Sequence, residues 1–352
     1  VVVTRRLVKG NEAIALGAIA GGCDCFFGYP ITPQNEIPEI LSSELPKRGR
    51  VFLQAESEVA SINMVYGAAS AGMRAMTSSS SPGISLMMEG MSYIAGAELP
   101  CLVVNVMRGG PGLGSITPAQ GDYFQACKGG GHGDYHCIVL APWNVQEMYS
   151  MPALAFALAD KYRCPAMILA DGVLGAMMEP ADVPDEAPPI DKPEKRWATN
   201  GRNGRAHKNV VNSLVIDPYE LRDHNRKLQD RYRAMQCERR YDARLIEDAD
   251  VLVVAYGIAA RLALSGCKLA RKRGVKAGLL RPVTLYPFPT KPIRDAALSA
   301  KTVLVVELSS GQMVEDVRLA INGERNVEFY GEMGGVLPSP DDVCQKIVEA
   351  VQ

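Results

Sequence analysis

Apolar and polar positions along this chain fall into short alternating blocks. "EAIALGAIAGG" reads as a small-residue helix, and "CDCFF" after it as a short apolar strand. "RVFLQAES" is a strand running into acidic residues, followed by a helix rich in Ala, Ser and Gly, "SEVASINMVYGAASAGM". "RAMTSSSSPG" is a strand that ends in serines, and "ISLMMEGMSYIAGAE" is the next helix. "PCLVVNVMRGGPG" is a strand ending at an arginine and glycines. "HCIVLAP" and "PAMILAD" are two further buried strands, with the helix "VQEMYSMPALAFALADKY" between them. Apolar runs of about four to seven, alternating with helices, predict an α/β unit over residues 1–178, a doubly wound parallel sheet covered on both faces.

The pattern changes after residue 178. "EPADVPDEAPPIDKPEKRW" is proline-rich and acidic, an extended connector. "PYELRDHNRKLQDRYRAMQCERRYDARLIE" predicts one or two charged helices, completing a linker over 179–245. Both charge signs are interspersed there and aromatic platforms are few. The expectation is a solvated helix packed along a partner, not a nucleic-acid patch. Residues 246–352 repeat the alternation, with strands "ADVLVVAYG", "VKAGLLRP" and "KTVLVVELS", helices "IAARLALSGCKLARKRG" and "GQMVEDVRLAI", and an edge strand "VEFYGEMGG". They predict a second α/β unit.

Composition narrows the function classes. A chain of 352 residues is long enough for two such units. A net charge of −1 provides no field to gather nucleic acid or an anionic membrane. No apolar run approaches the roughly 18 residues of a membrane span. "VVVTRRLVKGNE" has no signal-peptide core, so the expected compartment is the cytoplasm. The nine cysteines are scattered without a C-x-x-C, and the four histidines lack metal-ligand spacing, so no metal or cluster site is expected on this chain.

In doubly wound sheets ligands sit beyond the carboxyl ends of the strands. Four such ends are unusual here. "GYPITPQNE" places Thr32 between two prolines, on a loop stiffened by their fixed φ. Its hydroxyl is held either for a ligand or for a local turn bond. Glu58 in "QAESEVAS" sits near a helix start, where the macrodipole favours a carboxylate. With a nitrogen heterocycle opposite, the same group would exchange a proton with the ring. Glu56 competes for that role. Ser78 to Ser81 either cap a helix or line the rim. Arg108 before Gly109 and Gly110 either faces solvent or presents its planar fork to a small anion. "ACKGGGHGDYH" is not a Walker A motif, because its lysine precedes the glycines. His132 within it is either a proton donor near the site or a solvated loop residue. No G-x-G-x-x-G follows the first strand, which argues against a dinucleotide enzyme.

Taken together, "GYPITPQNEI", "AESEVASINMVYGAASAG", "TSSSSPGISLMMEG", "ELPCLVVNVMRGGPG" and "KGGGHGDY" resemble the alpha subunit of 2-oxoacid:ferredoxin oxidoreductases, most of all the 2-ketoisovalerate type. The likeness spans nearly the whole chain. It implies a thiamine-diphosphate pyrimidine-binding domain followed by a transketolase C-terminal-like α/β domain. It also implies that Glu58 hydrogen-bonds the aminopyrimidine ring, with Tyr29, Pro30, Ser81 and Pro82 around the cofactor. Thr32 and Arg108 would hold the substrate carboxylate, and His132 is placed with the substrate by motif alone. The implied reaction decarboxylates a 2-oxoacid oxidatively to acyl-CoA and CO2. Electrons pass to ferredoxin, and the cofactor serves as electron sink.

The Gly-Asp-Gly and Asn signature that holds magnesium and diphosphate is missing, since "LADGVLG" lacks its first glycine and its asparagines. The resemblance therefore implies a beta subunit carrying the diphosphate, Mg2+ and 4Fe–4S sites, with thiamine diphosphate shared at the interface. Small ferredoxin-like and gamma subunits would complete the complex. Three alternatives remain open: the same chemistry on 2-oxoglutarate, on pyruvate or on an aryl-pyruvate. A fourth is a scaffold subunit without activity.

Overall fold

The computed structural model describes residues 3–184 and 190–351; residues 185–189 of the proline-rich connector lie outside the described residues. The chain opens with β1 (Val3–Lys9), α1 (Gly10–Ala20), β2 (Cys25–Gly28), α2 (Glu36–Lys47), β3 (Val51–Gln54) and α3 (Glu58–Ser70). It continues through β4 (Ala75–Ser79), α4 (Ser81–Gly96), β5 (Cys101–Met107), α5 (Tyr123–Cys127), β6 (Ile138–Leu140), α6 (Val145–Tyr162) and β7 (Pro165–Asp171). Then come α7 (Gly172–Ala176), β8 (Met178–Pro184), α8 (Pro218–Ala234), β9 (Tyr241–Arg244), β10 (Val251–Val254) and α9 (Gly257–Lys272). The last elements are β11 (Ala277–Pro282), β12 (Thr284–Tyr286), α10 (Thr290–Ser299), β13 (Thr302–Glu307), α11 (Met313–Ile321), β14 (Val327–Gly331) and α12 (Pro340–Glu349).

Two α/β units result, as the alternation predicts. The first sheet runs β12-β6-β7-β5-β4-β2-β3, parallel throughout except for β12. β4, β5, β6 and β7 are buried at every position, as strands covered on both faces must be. β3 departs from that expectation. It is the edge, and Val51 and Leu53 are each more than two-fifths exposed. The second sheet runs β14-β13-β10-β11-β9, with β14 at the edge. No helix among the described residues is long and apolar enough to cross a membrane.

Three features were invisible in the pattern. β1 pairs antiparallel with β8, Thr4 opposite Val183, in a small sheet of its own. β9, inside the stretch expected to link the units, is the other edge of the second sheet. β12, from the second unit, pairs with β6 and extends the first sheet, so the two units share a ladder. The charged linker contains one α-helix, α8, followed by a single 3-10 turn. The surface along which α8 packs belongs to this chain's own first unit. Glu98 receives Lys227 (2.6 Å) and Arg231 (2.5 Å), and Leu228 and Tyr232 are buried beneath the helix.

Candidate active site

Each sheet has a pair of adjacent parallel strands from which the chain winds off in opposite directions. In the first, β3 lies outside β2, and the chain then returns to β4 on the other side of β2. In the second, the reversal falls between β10 and β13. Ligands of doubly wound sheets bind in the crevice outside such a reversal. In the second unit that crevice is filled by protein. Gln120 Nε2 donates to the Tyr256 carbonyl (2.9 Å), its Oε1 accepts from the Leu308 amide (2.9 Å), and its own amide donates to the Leu308 carbonyl (2.8 Å). The Glu307 carboxylate caps α11 there, accepting from the amides of Met313 and Val314 at 2.9 Å. The crevice of the first unit, between β2 and β4, is therefore the candidate site.

Glu58 stands beside it, as the first residue of α3 and only 5% exposed. Ser57 caps the helix by accepting from the Ala60 amide, which fixes the turn that brings Glu58 in from the edge strand. Among the described residues the carboxylate makes one hydrogen bond, from Ser79 Oγ at the end of β4 (3.5 Å). Gly83 of α4 presses against it, so that a Cβ there would lie 2.4 Å from Glu58 Oε1 and 2.0 Å from Ser79 Oγ. Glu56, the competing carboxylate, is exposed.

Arg108 leaves the end of β5 with its side chain half-buried. Nη1 donates to the Thr32 carbonyl (3.0 Å) and Nη2 to the Leu113 carbonyl (3.1 Å), while Nε has no partner among the described residues. The guanidinium thus ties the Thr32 loop to the glycine-rich loop that follows β5. The Thr32 hydroxyl is exposed and accepts from Asn35 Nδ2 (3.3 Å). Ser81 meets Arg108 from the first turn of α4, accepting the Arg108 amide on Oγ (3.1 Å). That turn carries both Ser81 and Gly83, so it lies between Arg108 and Glu58.

The other predicted residues divide. Tyr29 and Pro30 are exposed on the loop after β2, and Pro82 is half-buried beside Ser81. His132 stands apart. Its carbonyl accepts from Ser92 Oγ (2.6 Å) and its ring lies edge-on to Tyr93, 6.0 Å between centroids. From Ser81 to Ser92 is roughly 16 Å at the helical rise, so His132 is not gathered with Thr32 and Arg108. There it lines a cavity of about 490 Å³ with Leu221, Asn225 and Leu228 of α8.

Three polar residues of the site were not singled out from the sequence. Gln34 is fully buried and accepts from Ser78 Oγ (2.5 Å), with Nε2 unpartnered among the described residues. Asn105 is a fully buried amide inside the apolar run "CLVVNVM", and that interruption was the available signal. Asp122 accepts from Ser81 Oγ (2.6 Å) and Asn105 Nδ2 (2.8 Å). Burial raises its carboxyl above the ordinary range, and those two hydrogen bonds offset only part of the rise.

The comparisons with known proteins agree with this geometry. Residues 16–241 match the family described as pyruvate flavodoxin/ferredoxin oxidoreductase, thiamine diphosphate-binding. Residues 249–343 match pyruvate:ferredoxin oxidoreductase core domain II. The ketoisovalerate oxidoreductase subunit VorB of Methanothermobacter thermautotrophicus is 53% identical over 98% of this chain and 97% of its own. The 2-oxoglutarate synthase subunit KorA of Archaeoglobus fulgidus is 41% identical over 98% of each. A solved 2-oxoglutarate:ferredoxin oxidoreductase from Magnetococcus marinus, with 2-oxoglutarate, coenzyme A and succinyl-CoA bound, superposes with a TM-score of 0.88 at 28% identity. The match covers 99% of this chain and 65% of that one. A split-gene transketolase, at 15% identity and a TM-score of 0.60, shares the fold. Fold and family matches together define a thiamine-diphosphate-binding type of α/β oxidoreductase subunit. The chain belongs to the 2-oxoacid:ferredoxin oxidoreductase family.

Proposed function

We propose that this chain holds the aminopyrimidine half of thiamine diphosphate in a complex that converts a branched-chain 2-oxoacid of the 2-ketoisovalerate type to acyl-CoA and CO2. Electrons leave to ferredoxin. The observation that carries the reading is Glu58, a buried carboxylate at the winding reversal with a single long hydrogen bond among the described residues. Such a group is under-satisfied until a donor arrives, and a ring N–H is a donor of the right chemistry. When bound, thiamine diphosphate supplies the electron sink for decarboxylation. Glu58 holds the proton exchanged with the ring at its carboxyl group. Thr32 and Arg108 fix the substrate carboxylate, Thr32 through its exposed hydroxyl and Arg108 through its charge, so that the carbonyl is presented in one orientation. Tyr29, Pro30, Ser81 and Pro82 form the surrounding wall.

In this reading a partner subunit supplies the diphosphate and Mg2+ site and the 4Fe–4S clusters, and coenzyme A accepts the acyl group. The branched-chain assignment rests on the 53% identity to a ketoisovalerate oxidoreductase subunit. Relatives near 40% identity are named for 2-oxoglutarate, which makes that acid the second reading.

The test is dye reduction by the complex purified through this chain, given coenzyme A, a low-potential dye and a panel of 2-oxoacids. Fastest reduction with branched-chain acids is expected. Fastest reduction with 2-oxoglutarate or pyruvate would overturn the substrate. No reduction with any 2-oxoacid, in a complex containing thiamine diphosphate and clusters, would overturn the catalytic reading.

A further inference from the structure

We infer that Asp122 is the positioning residue that sets Arg108 at the candidate site. This rests on the reading of Arg108 as a substrate-carboxylate group. The connection is continuous. Asp122 Oδ2 accepts from both Ser81 Oγ (2.6 Å) and Asn105 Nδ2 (2.8 Å). With its proton given to Asp122, Ser81 Oγ has lone pairs free and accepts the Arg108 amide at 3.1 Å. The Ser81 amide donates to Asn105 Oδ1 (3.2 Å), which closes a ring around the end of β5 and the start of α4. One oxygen of Asp122 therefore orients the hydroxyl and the amide that together fix where Arg108 leaves its strand. Arg108 in turn holds the Thr32 and Leu113 carbonyls.

Asp122 is itself held by the second unit. Its neighbour Tyr123 is fully buried and donates to Asp316 of α11 (2.6 Å), and the Phe124 amide donates to Gln312 (2.8 Å). A segment anchored on α11 thus presents its one carboxylate back into the first unit. Anchoring the loop fixes the carboxylate that orients Ser81 Oγ, and with it the backbone position from which the Arg108 side chain sets out.

The chemistry of the single accepting oxygen shapes the test. In Asp122→Asn the amide oxygen still accepts from Ser81 and Asn105. In Asp122→Ala both donors lose their partner. In the assembled complex, Asp122→Ala is expected to raise the KM for the 2-oxoacid at least tenfold while kcat falls less than threefold. Asp122→Asn should return KM to within about threefold of wild type. Tyr123→Phe, which cuts one tie to α11 and leaves the Phe124 amide on Gln312, is the milder companion and should raise KM in the same direction.

Hydrogen–deuterium exchange gives a readout independent of turnover. Asp122→Ala should speed exchange in peptides covering 29–35 and 108–117 and leave β7 protected. Faster exchange throughout the chain, or unchanged exchange in those two loops, would overturn the inference, as would equal effects of the Ala and Asn variants on KM. If no 2-oxoacid is turned over by wild type, the reading of the substrate fails, and the exchange pattern alone still decides whether Asp122 positions Arg108.

Discussion

Arg108 Nη1 donates to the carbonyl of Thr32 at 3.0 Å, across 76 residues of sequence. The loop after β2 and the loop after β5 are thereby one object at the rim of the sheet. A lysine at 108 brings one nitrogen in place of a planar fork, so the donors that meet the Thr32 and Leu113 carbonyls converge on a single point and lose the spacing of the guanidinium. Arg108→Lys is expected to raise the KM for the 2-oxoacid by an order of magnitude or more, with a smaller change in kcat. Steady-state dye reduction over a substrate series measures it. An unchanged KM would move the carboxylate contact to other residues.

Glu58→Gln keeps the shape of the side chain and its bond to Ser79 but removes the exchangeable proton. General acid–base groups contribute about 10²–10⁴ in rate. The variant complex should assemble, contain thiamine diphosphate, and lose at least 100-fold in turnover. Cofactor analysis alongside the rate separates loss of chemistry from loss of binding.

Gly83→Ala tests the same carboxylate from the other side. The new Cβ would meet Ser79 Oγ and Glu58 Oε1 well inside van der Waals contact. Both are the ends of flexible side chains, so the helix remains and the carboxylate moves. Thermal stability near that of wild type, with turnover at least tenfold lower, is the expected result. Full activity would mean that the position of Glu58 does not matter.

Much of this was readable because of the physics of buried strands. β5, β6 and β7 are buried and largely apolar on both faces, and an apolar run bounded by polar residues announces such a strand without any alignment. Thr32, Glu58 and Arg108 were legible for the same reason, as polar residues where apolar strands stop. β1 and β8 were not, because Thr4 to Leu7 of β1 are all exposed, β8 alternates, and no buried apolar run marks either. β12 is three residues long and joins the sheet of the other unit, a tertiary choice with no local signature. Asp122 and Gln120 lie in a loop where polar residues are ordinary. Their importance comes from what other elements bring to them. The distance of His132 from Arg108 depends on the path of a glycine-rich loop, which sequence pattern does not constrain.

Gln120 also sets the stability of the pair of units. It satisfies the Tyr256 carbonyl and the Leu308 amide in the crevice of the second sheet, and all three groups are buried. Gln120→Ala takes the side-chain partner from the buried Leu308 amide, at about 1–3 kcal/mol, and leaves the Tyr256 carbonyl with the Ala260 amide (3.2 Å). The denaturation midpoint should fall, and a separate early transition of one unit should appear where wild type unfolds in a single step. A single transition with an unchanged midpoint would show that the units are held elsewhere.

The docking of α8 should depend on acid. Burial alone would raise the Glu98 carboxyl, but the hydrogen bonds from Lys227 and Arg231 outweigh it and hold the group down at about 2, against 4.5 for a free glutamate. A carboxyl whose pKa is depressed in the folded protein contributes stability that is present in full above its unfolded value. That contribution is lost as pH falls toward the folded one. The ion pairs of Glu98 therefore stabilise the protein fully above about pH 4.5 and progressively less down to pH 2. Glu98→Gln removes the charge at every pH and leaves Arg231, mostly buried, without its anion. Its melting temperature should lie several degrees below that of wild type at pH 7, and the gap should narrow between pH 4.5 and pH 2. A gap independent of pH would assign the loss to packing, because Glu98 is the titrating group in which the two proteins differ.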